Sequence, residues 1–467
     1  MTNNTELNTY LTNFFASEVQ SFLNADPENR AIRINTLKSN KTEMIKRFNQ
    51  LQVDFSELAF NPLGFELKDD QIPLSHTLDF FQGHFSYQGI SSQIPALALD
   101  PQPGENVLDI AAAPGSKSTQ MAAMMQNTGQ LFLNDISKNR LQSLNVNVQR
   151  AGITNEIILN IAGERLGKLF PEYFDKILVD APCTALGTIA VNPEVTGWWS
   201  IEKLNKLSIS QRQLLVSAFK ALKPGGEMVY STCSIAPEEN ELPVQLLIEN
   251  YPISVEDITL KDTICCDDGL TRYANWNLDF NLSKAIRIYP HKHGMEGFFV
   301  IKLKKTDSVF KQGNSESVNW MSTLAFDDPQ IIKDMDSLSD LWGIGKNIWS
   351  AFRFILTRNR IWMLCGKIRH IPYERLHNAG LLLSEKRLTG WKLTNQSAQY
   401  LNSSIRFRRI ALNDEQLTEL FANGFIHISG LEYGYYVLER ESKAIASVYY
   451  ENGNLQIRLP HAFRLTL

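Results

Sequence analysis

Cys183 and Cys233 each stand directly after a short apolar run of the sequence. Asp180-Ala181-Pro182 leads into the first cysteine, and Ser231-Thr232 leads into the second. Strands of parallel α/β sheets read as such apolar runs, and ligands bind outside the carboxyl ends of those strands. The sequence therefore predicts that both thiols and Asp180 face one crevice. A buried structural cysteine is the alternative, because free cysteine is among the most buried residue types.

A zinc site is a weaker interpretation of these cysteines. Zinc sites use close ligand pairs or spaced histidines, whereas Cys183 and Cys233 stand 50 positions apart and His291 and His293 form the one close histidine pair. We therefore expect no metal. The five cysteines are odd in number and widely scattered, which indicates a reduced, cytoplasmic protein without a disulfide framework.

A tight loop of small residues before a predicted helix is the second candidate site. It consists of Ala111, Ala112, Ala113, Pro114, Gly115, Ser116 and Lys117. Such a loop lets a cofactor approach the backbone, and a helix N-terminus favours polar or anionic groups. Asp135 follows Gly115 by 20 positions and ends the next predicted strand, where an acid can bind ribose hydroxyls. A plain strand-to-helix turn is the alternative.

The glycine pattern of this loop narrows the cofactor class. The dinucleotide fingerprint G-x-G-x-x-G is absent, because Gly115 is the one glycine of the loop. A pyrophosphate is therefore disfavoured. A nucleoside with a small amino-acid tail fits better, and we predict S-adenosylmethionine.

Two thiols and a carboxylate beside a methyl donor fit methylation of cytosine at C5. C5 is a poor nucleophile, and a thiolate that adds to C6 makes C5 reactive enough to accept a methyl group. An acid at N3, for which Asp180 is placed, eases this addition, and loss of the C5 proton then lets the thiol leave. The attacking thiol needs a lowered pKa. The residues alone do not distinguish the roles of Cys183 and Cys233.

The elements that must position these residues alternate between strand and helix, which predicts an α/β fold with a parallel sheet. Strands are predicted at 106–110, 130–134, 156–160, 176–180 and 227–230, the last launched by a turn at Pro224–Gly226. One helix is predicted from the end of the loop Ala111–Lys117 through residue 125, and further helices at 137–150, 201–222 and 237–250. A hairpin of two last strands is predicted at 285–289 and 297–302.

The whole chain is long enough for several domains at 467 residues. Its 43% hydrophobic and 21% charged residues are typical of a globular protein. No apolar run approaches the ~20 residues that span a bilayer, and no signal peptide is recognised at the start. The predicted parts are an N-terminal RNA-binding module (1–95), a catalytic domain (96–305), a linker (306–325), a basic α+β domain (326–400) and a PUA-like domain (401–467).

Basic residues cluster between Gly343 and Leu412, although the net charge of the chain is −4. Aromatic residues are interleaved with them: Trp349, Phe352, Phe354, Trp362, Tyr373 and Trp391. Only Glu374 and Glu385 oppose the cations within this span. A solvated charged face would show a similar pattern of residues. The shortage of acids favours a polyanion as the binding partner, whose phosphates would contact the cations and whose bases would stack on the aromatic rings.

Four motifs in order resemble the Sun/nucleolar-protein family of RNA cytosine-C5 methyltransferases. They are Asp109–Gln120, Asp180–Cys183, Lys223–Gly226 and Ser231–Ser234, supported by Asn35–Lys38 and Gly297–Phe299. The likeness spans roughly residues 30 to 305. The tail resembles the PUA-type RNA-binding domain of the bacterial RsmF-like branch, which modifies small-subunit ribosomal RNA, through Phe407–Leu417, a Gly-Tyr-Tyr strand and Leu459–Arg464.

This resemblance implies a Rossmann-like S-adenosylmethionine-dependent methyltransferase and assigns residue roles. It implies that Cys233 is the nucleophile and that Cys183 helps to release the product. It also implies that Ala111–Lys117, Asp135 and Asp180 contact S-adenosylmethionine, with Asp180 near the target base. The implied partner is RNA, as 16S ribosomal RNA or the assembled 30S subunit, with transfer RNA as the alternative. We expect a monomer without membrane association.

The sequence departs from the family pattern in three places. Thr184-Ala185 replaces the usual Ser-Gly after the first cysteine, and Ala190-Val191 stands where basic residues commonly follow. Ala162 stands where an acid near the adenine is often found, with Glu164 close by. These departures motivate a second hypothesis, a non-catalytic RNA-binding factor of ribosome assembly. The retained cysteine pair favours the enzyme.

Overall fold

The structure is a computed structural model that describes residues 2–26, 30–68, 73–309, 318–388 and 390–458. The tail motif predicted at Leu459–Arg464 lies outside these residues. No helix within the described ranges is long and apolar enough to cross a membrane.

The first part of the chain combines helices with a small sheet of order β2-β3-β1-β4. Its elements are α1 (Thr5–Phe15), α2 (Val19–Leu23), β1 (Ala31–Ile34), α3 (Lys41–Gln50), β2 (Phe55–Leu58), β3 (Asn61–Leu67), α4 (Leu78–Gln82), β4 (Phe85–Tyr87) and α5 (Ile94–Leu99). Phe48 and Phe65 lie in the core of this sheet. The apolar stripe of α1 packs elsewhere, because Leu11 lies in one buried cluster with Trp199 and Tyr289 of the central domain. The predicted module 1–95 is thus divided between two cores.

The predicted α/β class is confirmed by a central sheet of mixed direction. Its strands, together with the short hairpin β12–β13, are β5 (Asn106–Asp109), β6 (Gln130–Asn134), β7 (Glu156–Leu159), β8 (Phe174–Asp180), β9 (Leu222–Thr232), β10 (Ile253–Glu256), β11 (Asp267–Asp268), β12 (Arg272–Tyr273), β13 (Trp276–Asn277), β14 (Ile286–Ile288) and β15 (Phe298–Lys305). The order runs β11-β14-β15-β9-β8-β5-β6-β7, with β5 to β9 parallel. The strand order reverses between β5 and β8, and ligands bind at such a switch point.

Helices cover both faces of this sheet. They are α6 (Ser116–Met124), α7 (Lys138–Ala151), α8 (Leu166–Leu169), α9 (Val195–Trp198), α10 (Ile201–Ala221), α11 (Glu241–Asn250) and α12 (Pro290–His293). Adjacent strand residues face opposite layers: Phe132 packs in the cluster with Phe219 of α10, and Leu131 in the cluster with Leu144 of α7. The turn predicted at Pro224–Gly226 lies instead within β9, where the pairing with β8 shifts its register.

The C-terminal part contains two further sheets, β17-β18-β21-β22 and β23-β25-β26-β27-β24. Its elements are β16 (Trp320–Ser322), α13 (Ile332–Trp342), α14 (Lys346–Trp349), β17 (Phe352–Thr357), β18 (Arg360–Cys365), β19 (His370–Pro372), β20 (Leu376–Ala379), β21 (Leu381–Arg387), β22 (Gly390–Leu393), α15 (Asn395–Tyr400), β23 (Arg409–Ala411), α16 (Asp414–Asn423), β24 (Phe425–His427), β25 (Gly434–Arg440), β26 (Lys443–Glu451) and β27 (Asn454–Gln456). Strand β16 lies within the predicted linker 306–325, and residues 310–317 lie outside the described ranges. Strand β20 pairs with β7, so this part extends the central sheet. The other domain boundaries stay predictions.

The basic region between Gly343 and Leu412 differs from the predicted stacking surface. Trp349, Phe354 and Trp391 are at most 4% exposed and belong to a hydrophobic core, so they cannot stack on a base. Acids from neighbouring elements pair with several of the cations: Asp336 with Lys346, Glu432 with Arg408, and Glu439 with Arg409. Counting only the acids within the span therefore overestimates the number of its cations that are unpaired.

Candidate active site

The loop Ala111–Ser116 joins β5 to α6 at the carboxyl edge of the sheet. Gly115 has φ +105°, a conformation that L side chains rarely adopt, and a Cβ there would lie 2.7 Å from Leu144 Cδ1. The Ala112 N–H donates to the Asn134 carbonyl at 2.7 Å. Asn147 of α7 donates to the Pro114 carbonyl at 2.9 Å. These contacts hold the loop beside the N-terminus of α6, as the sequence predicted.

Asp135 follows β6 at the same edge and is 2% exposed. Its Oδ1 accepts a hydrogen bond from the Ser137 N–H at 2.9 Å. Its Oδ2 is buried and accepts no hydrogen bond within the described residues, although Arg140 NH1 lies 3.2 Å away. A buried carboxylate oxygen with free acceptor capacity fits the hydroxyls of a ribose. The predicted nucleoside cofactor therefore fits the residues of this edge.

A cavity of about 390 Å³ extends along the carboxyl ends of β6 and β7. Ile136, which directly follows Asp135, lines it and is 69% exposed. Ala162 also lines it, so the position predicted to lack the usual acid does face this space. Glu374 and Arg375, between β19 and β20, complete the lining from the C-terminal part of the chain. An exposed apolar side chain next to the acid that is predicted to bind ribose suits a flat aromatic base.

Asp109 lies beneath the loop, at the end of β5, and is 1% exposed. Ser118 donates to its Oδ2 at 2.7 Å. Burial raises the pKa of Asp109 to about 7, since an ionised carboxylate loses its hydration there. This carboxyl group was not among the predicted site residues, and its place in the first motif is the one signal that marked it.

Asp180 ends β8 and is held by two donors. Lys117 Nζ donates to Oδ2 at 2.8 Å, and Ser231 Oγ donates to Oδ1 at 2.7 Å. Burial lowers the pKa of Lys117, but the charge and hydrogen bond of Asp180 outweigh this effect, so the pKa lies above its usual value. The structure thus joins the cofactor loop to the predicted acid through one ion pair.

The two candidate thiols are neighbours, with Sγ atoms 3.2 Å apart. Both are free cysteines and lie in the loops after β8 and β9. The hydrogen bond with Cys233, and then burial, raise the pKa of Cys183 well above its usual value. The Cys183 thiol therefore keeps its proton at neutral pH and can donate to the Cys233 sulfur. The structure thus brings together the two thiols that the sequence placed after neighbouring strands.

Glu239 anchors the loop that carries Cys183, a role that the sequence did not reveal. Its side chain is fully buried and accepts hydrogen bonds from the Thr184 N–H at 2.8 Å, from the Thr184 hydroxyl and from Gln211 Nε2 at 3.1 Å. Asn240 anchors the other loop, donating to the Ser234 carbonyl at 3.0 Å. The polar cluster Pro237–Glu241, directly after the predicted nucleophile, was the available signal.

Gly187 and Gly297 let the two thiol loops close on β15. The Gly297 N–H donates to the Gly187 carbonyl at 2.9 Å, and the Gly187 N–H donates to the Cys233 carbonyl at 3.0 Å. A Cβ on Gly187 would lie 2.5 Å from the Gly297 oxygen. Side chains are excluded at this crossing, which explains the glycine of the motif Gly297–Phe299.

The departures near the thiols are accommodated. Thr184 is fully buried and bonded to Glu239. Ala185 has φ +54°, where glycine is favoured. Val191 is 43% exposed and offers no charge to a polyanion.

No cluster of three or more possible metal ligands occurs in the part of the chain that the structure describes.

Comparisons of the sequence with known proteins identify relatives of this chain. The family described as 16S rRNA methyltransferase RsmB/F matches residues 96–304. The ribosomal RNA small subunit methyltransferase F of Aeromonas salmonicida is 31% identical over 84% of this chain and 84% of that protein. The 26S rRNA (cytosine-C(5))-methyltransferase nsun-1 of Caenorhabditis elegans is 36% identical over 64% of this chain, which spans about half (46%) of that protein.

Two solved structures from Pyrococcus horikoshii share the fold. A methyltransferase homologue is 33% identical, with a TM-score of 0.58, over 64% of this chain and 94% of that one. NSun6, solved with the S-adenosylmethionine analogue SFG, is 26% identical, with a TM-score of 0.57, over 65% of this chain and 98% of that one.

Proposed function

The chain belongs to the RsmB/F family of ribosomal RNA methyltransferases, and from this premise we propose that it methylates C5 of a cytosine in 16S ribosomal RNA. S-adenosylmethionine supplies the methyl group. The observation that carries the proposal is the thiol pair Cys183–Cys233, 3.2 Å apart at the carboxyl edge of the sheet. A non-catalytic assembly factor has no use for such a pair beside an intact cofactor edge.

The reaction begins with a cytosine that leaves its stack, because attack at C6 and methyl transfer at C5 need access to the base. Cys233 Sγ forms a bond to C6, and the electrons of the C5–C6 double bond make C5 nucleophilic. After C5 has accepted the methyl group, a solvent water molecule takes the C5 proton, the C5–H electrons re-form the C5–C6 double bond, and the Cys233–C6 bond breaks with the sulfur leaving as a thiolate. The aromatic ring is then restored.

Cys183 assists release in this scheme. The raised pKa of Cys183 keeps its thiol protonated. This thiol lies 3.2 Å from the Cys233 sulfur and can donate its proton to that sulfur as the bond to C6 breaks. The fully buried Glu239 positions Cys183 through the backbone and hydroxyl of Thr184. Without Cys183, attack should continue and release should slow.

Asp180 acts at N3 of the cytosine through its partner Lys117. Both Asp180 oxygens accept hydrogen bonds, from Lys117 and Ser231. A proton delivered to N3 during the attack comes from the Lys117 ammonium group by way of the carboxylate, and it returns to Lys117 by the same route when the aromatic ring is restored. The Lys117–Asp180 pair lies at the switch point of the sheet. Lys117 belongs to the cofactor loop, and its partner Asp180 is the residue proposed to contact the base.

The test is a trapping experiment with the Cys183→Ala variant. Incubated with substrate RNA and S-adenosylmethionine, this variant should accumulate an RNA–protein adduct that survives denaturing electrophoresis. Cys233→Ala should give no adduct, and Cys265→Ala, which removes an exposed cysteine elsewhere, should behave as wild type. Normal turnover of Cys183→Ala without an adduct would refute the assignment.

The choice of RNA is part of the proposal. Methyl incorporation should be compared on deproteinised 16S ribosomal RNA, assembled 30S subunits and transfer RNA. Incorporation into either form of 16S RNA supports the proposal and identifies the preferred form, whereas incorporation into transfer RNA alone replaces it. Monomeric state and cytoplasmic location stay predictions.

A further inference from the structure

A second concave site lies in the C-terminal part of the chain. A cavity of about 370 Å³ opens between the hairpin β21–β22 and the sheet formed by β25, β26 and β27. We call it the tyrosine cleft, after the residues that give it its character: Tyr433, Tyr435, Tyr449, Arg387, Lys392 and Arg458. The sequence pattern did not single out these tyrosines as a group.

The tyrosine rings form one surface. Tyr435 and Tyr449 are cross-strand partners on β25 and β26, with ring centroids 4.9 Å apart. Tyr433, which is 54% exposed, lies 5.5 Å from Tyr449 in an edge-to-face arrangement. The side chain of Tyr433, by hydrogen bonding, raises the pKa of Tyr449 to about 12. Unlike the fully buried Trp349 and Phe354, Tyr433 is exposed, and Tyr435 and Tyr449 are half-buried with part of each ring at the surface.

Three cations, Arg387, Lys392 and Arg458, line the cleft, and the nearby Glu451 acts on Tyr449. Lys392 Nζ lies 5.9 Å from the Tyr435 ring centroid. Burial lowers the pKa of Lys392, and its neighbours Arg387 and Arg458 lower it further, while Glu385 opposes this effect. Glu385 also pairs with Arg387 at 2.5 Å but does not line the cavity, and no acid does so among the described residues. The cleft thus presents an excess of cations to any occupant.

One buried polar atom in the cleft lacks a partner. Ser447 is 3% exposed and lines the cavity, and its Oγ has no hydrogen-bond partner within the described residues. Buried hydroxyls are normally satisfied. A ligand with hydrogen-bonding edges would supply what is missing.

We propose that the tyrosine cleft binds unpaired nucleotides of the RNA substrate, with bases on Tyr435 and Tyr449 and phosphates on Lys392 and Arg458. Accessible aromatic rings beside cations are how proteins bind single strands without reading their sequence. A duplex does not fit this arrangement, because its bases are already stacked. The inference takes RNA as the ligand from the proposed function and adds the site and the single-stranded form.

The test compares full-length variants in a binding assay. The probe is a fluorescein-labelled, unstructured oligoribonucleotide of uridines and cytidines, followed by anisotropy at fixed salt. A Tyr435→Leu/Tyr449→Leu double variant should bind at least about tenfold more weakly, because each of the two stacked bases contributes a factor of about five or more. Lys392→Gln should also lower the slope of log affinity against log salt by about 0.7, as expected for one lost phosphate contact.

The control is Phe280→Leu, which removes an aromatic side chain that is 80% exposed outside both the cleft and the basic region. It should bind the probe as wild type. Calorimetry with S-adenosylhomocysteine verifies that each variant is folded. Unchanged probe binding by the folded double variant overturns the inference, as does a blunt RNA duplex or an acidic peptide that competes as well as unlabelled single strand.

Failure here is separable from failure of the proposed function. If 16S RNA is methylated and the cleft variants bind the probe normally, the inference alone fails. If no RNA is methylated while the cleft variants lose probe binding, the proposed function alone fails.

Discussion

The carboxyl edge of the central sheet (the catalytic edge) and the tyrosine cleft both depend on a few side chains that strands position, but they are built in different ways. At the catalytic edge, Asp135, Asp180 and Cys233 each follow their own parallel strand, so one sheet brings them together. The tyrosine cleft joins a hairpin to a separate sheet, and no local pattern links Lys392 to Tyr449. The first arrangement follows from local sequence and the second from tertiary packing.

Buried charge is the first difference that can be tested, and it carries the largest expected effect. The pKa of Asp109 is about 7 in the folded protein, above the unfolded value near 4. The folded state therefore binds a proton more tightly, and this contribution to stability is lost as pH rises from about 4 through 7. Asp109→Asn removes the effect, so the free energy of unfolding of the variant relative to wild type should rise by on the order of 1–4 kcal/mol across this range.

Chemical denaturation at several pH values measures that difference. Tyr449→Phe in the cleft is the control, because a group with a pKa of about 12 does not titrate in this range. A pH-independent difference for Asp109→Asn would contradict the account of this carboxyl group.

Cofactor affinity is the second way to sharpen the comparison. Asp135→Asn removes the negative charge of the carboxylate that is proposed to accept the ribose hydroxyls and whose Oδ2 accepts no hydrogen bond within the described residues. Hydrogen bonds to charged groups contribute about 1.5–3 kcal/mol, so the Kd for S-adenosylhomocysteine should rise about 10- to 100-fold by calorimetry. Binding of the oligoribonucleotide probe should stay unchanged. Equal losses of both ligands would mean that the two sites are not independent.

The smallest expected effect concerns backbone strain beside the thiols. Ala185 has φ +54°, and glycine adopts this conformation without the steric cost of a Cβ. Ala185→Gly should therefore stabilise the protein, by about 0.5–1 kcal/mol, as a small rise in melting temperature. A lower melting temperature would show that the strain is not relieved by removing the methyl group.

Sequence reasoning reached the parts of the molecule whose geometry is local. The strand ends and Gly115 follow from apolar runs and from a backbone conformation that one residue type accepts. Glu239 could not be assigned, because its role depends on reaching Thr184, 55 positions away. Trp349 was misjudged as a stacking residue, since alternation of charge and aromatics does not say which face is buried. The pairing of β20 with β7 joins segments from distant parts of the chain, beyond any local pattern.

We propose above all that this protein methylates a cytosine of 16S ribosomal RNA with Cys233 as its nucleophile. Bisulfite sequencing of ribosomal and transfer RNA from cells that lack the gene, complemented with wild type or with Cys233→Ala, tests it most directly. We predict one 16S cytosine that resists conversion with wild type and converts fully with the deletion and with Cys233→Ala. A 16S pattern that is the same in all three strains would contradict the claim.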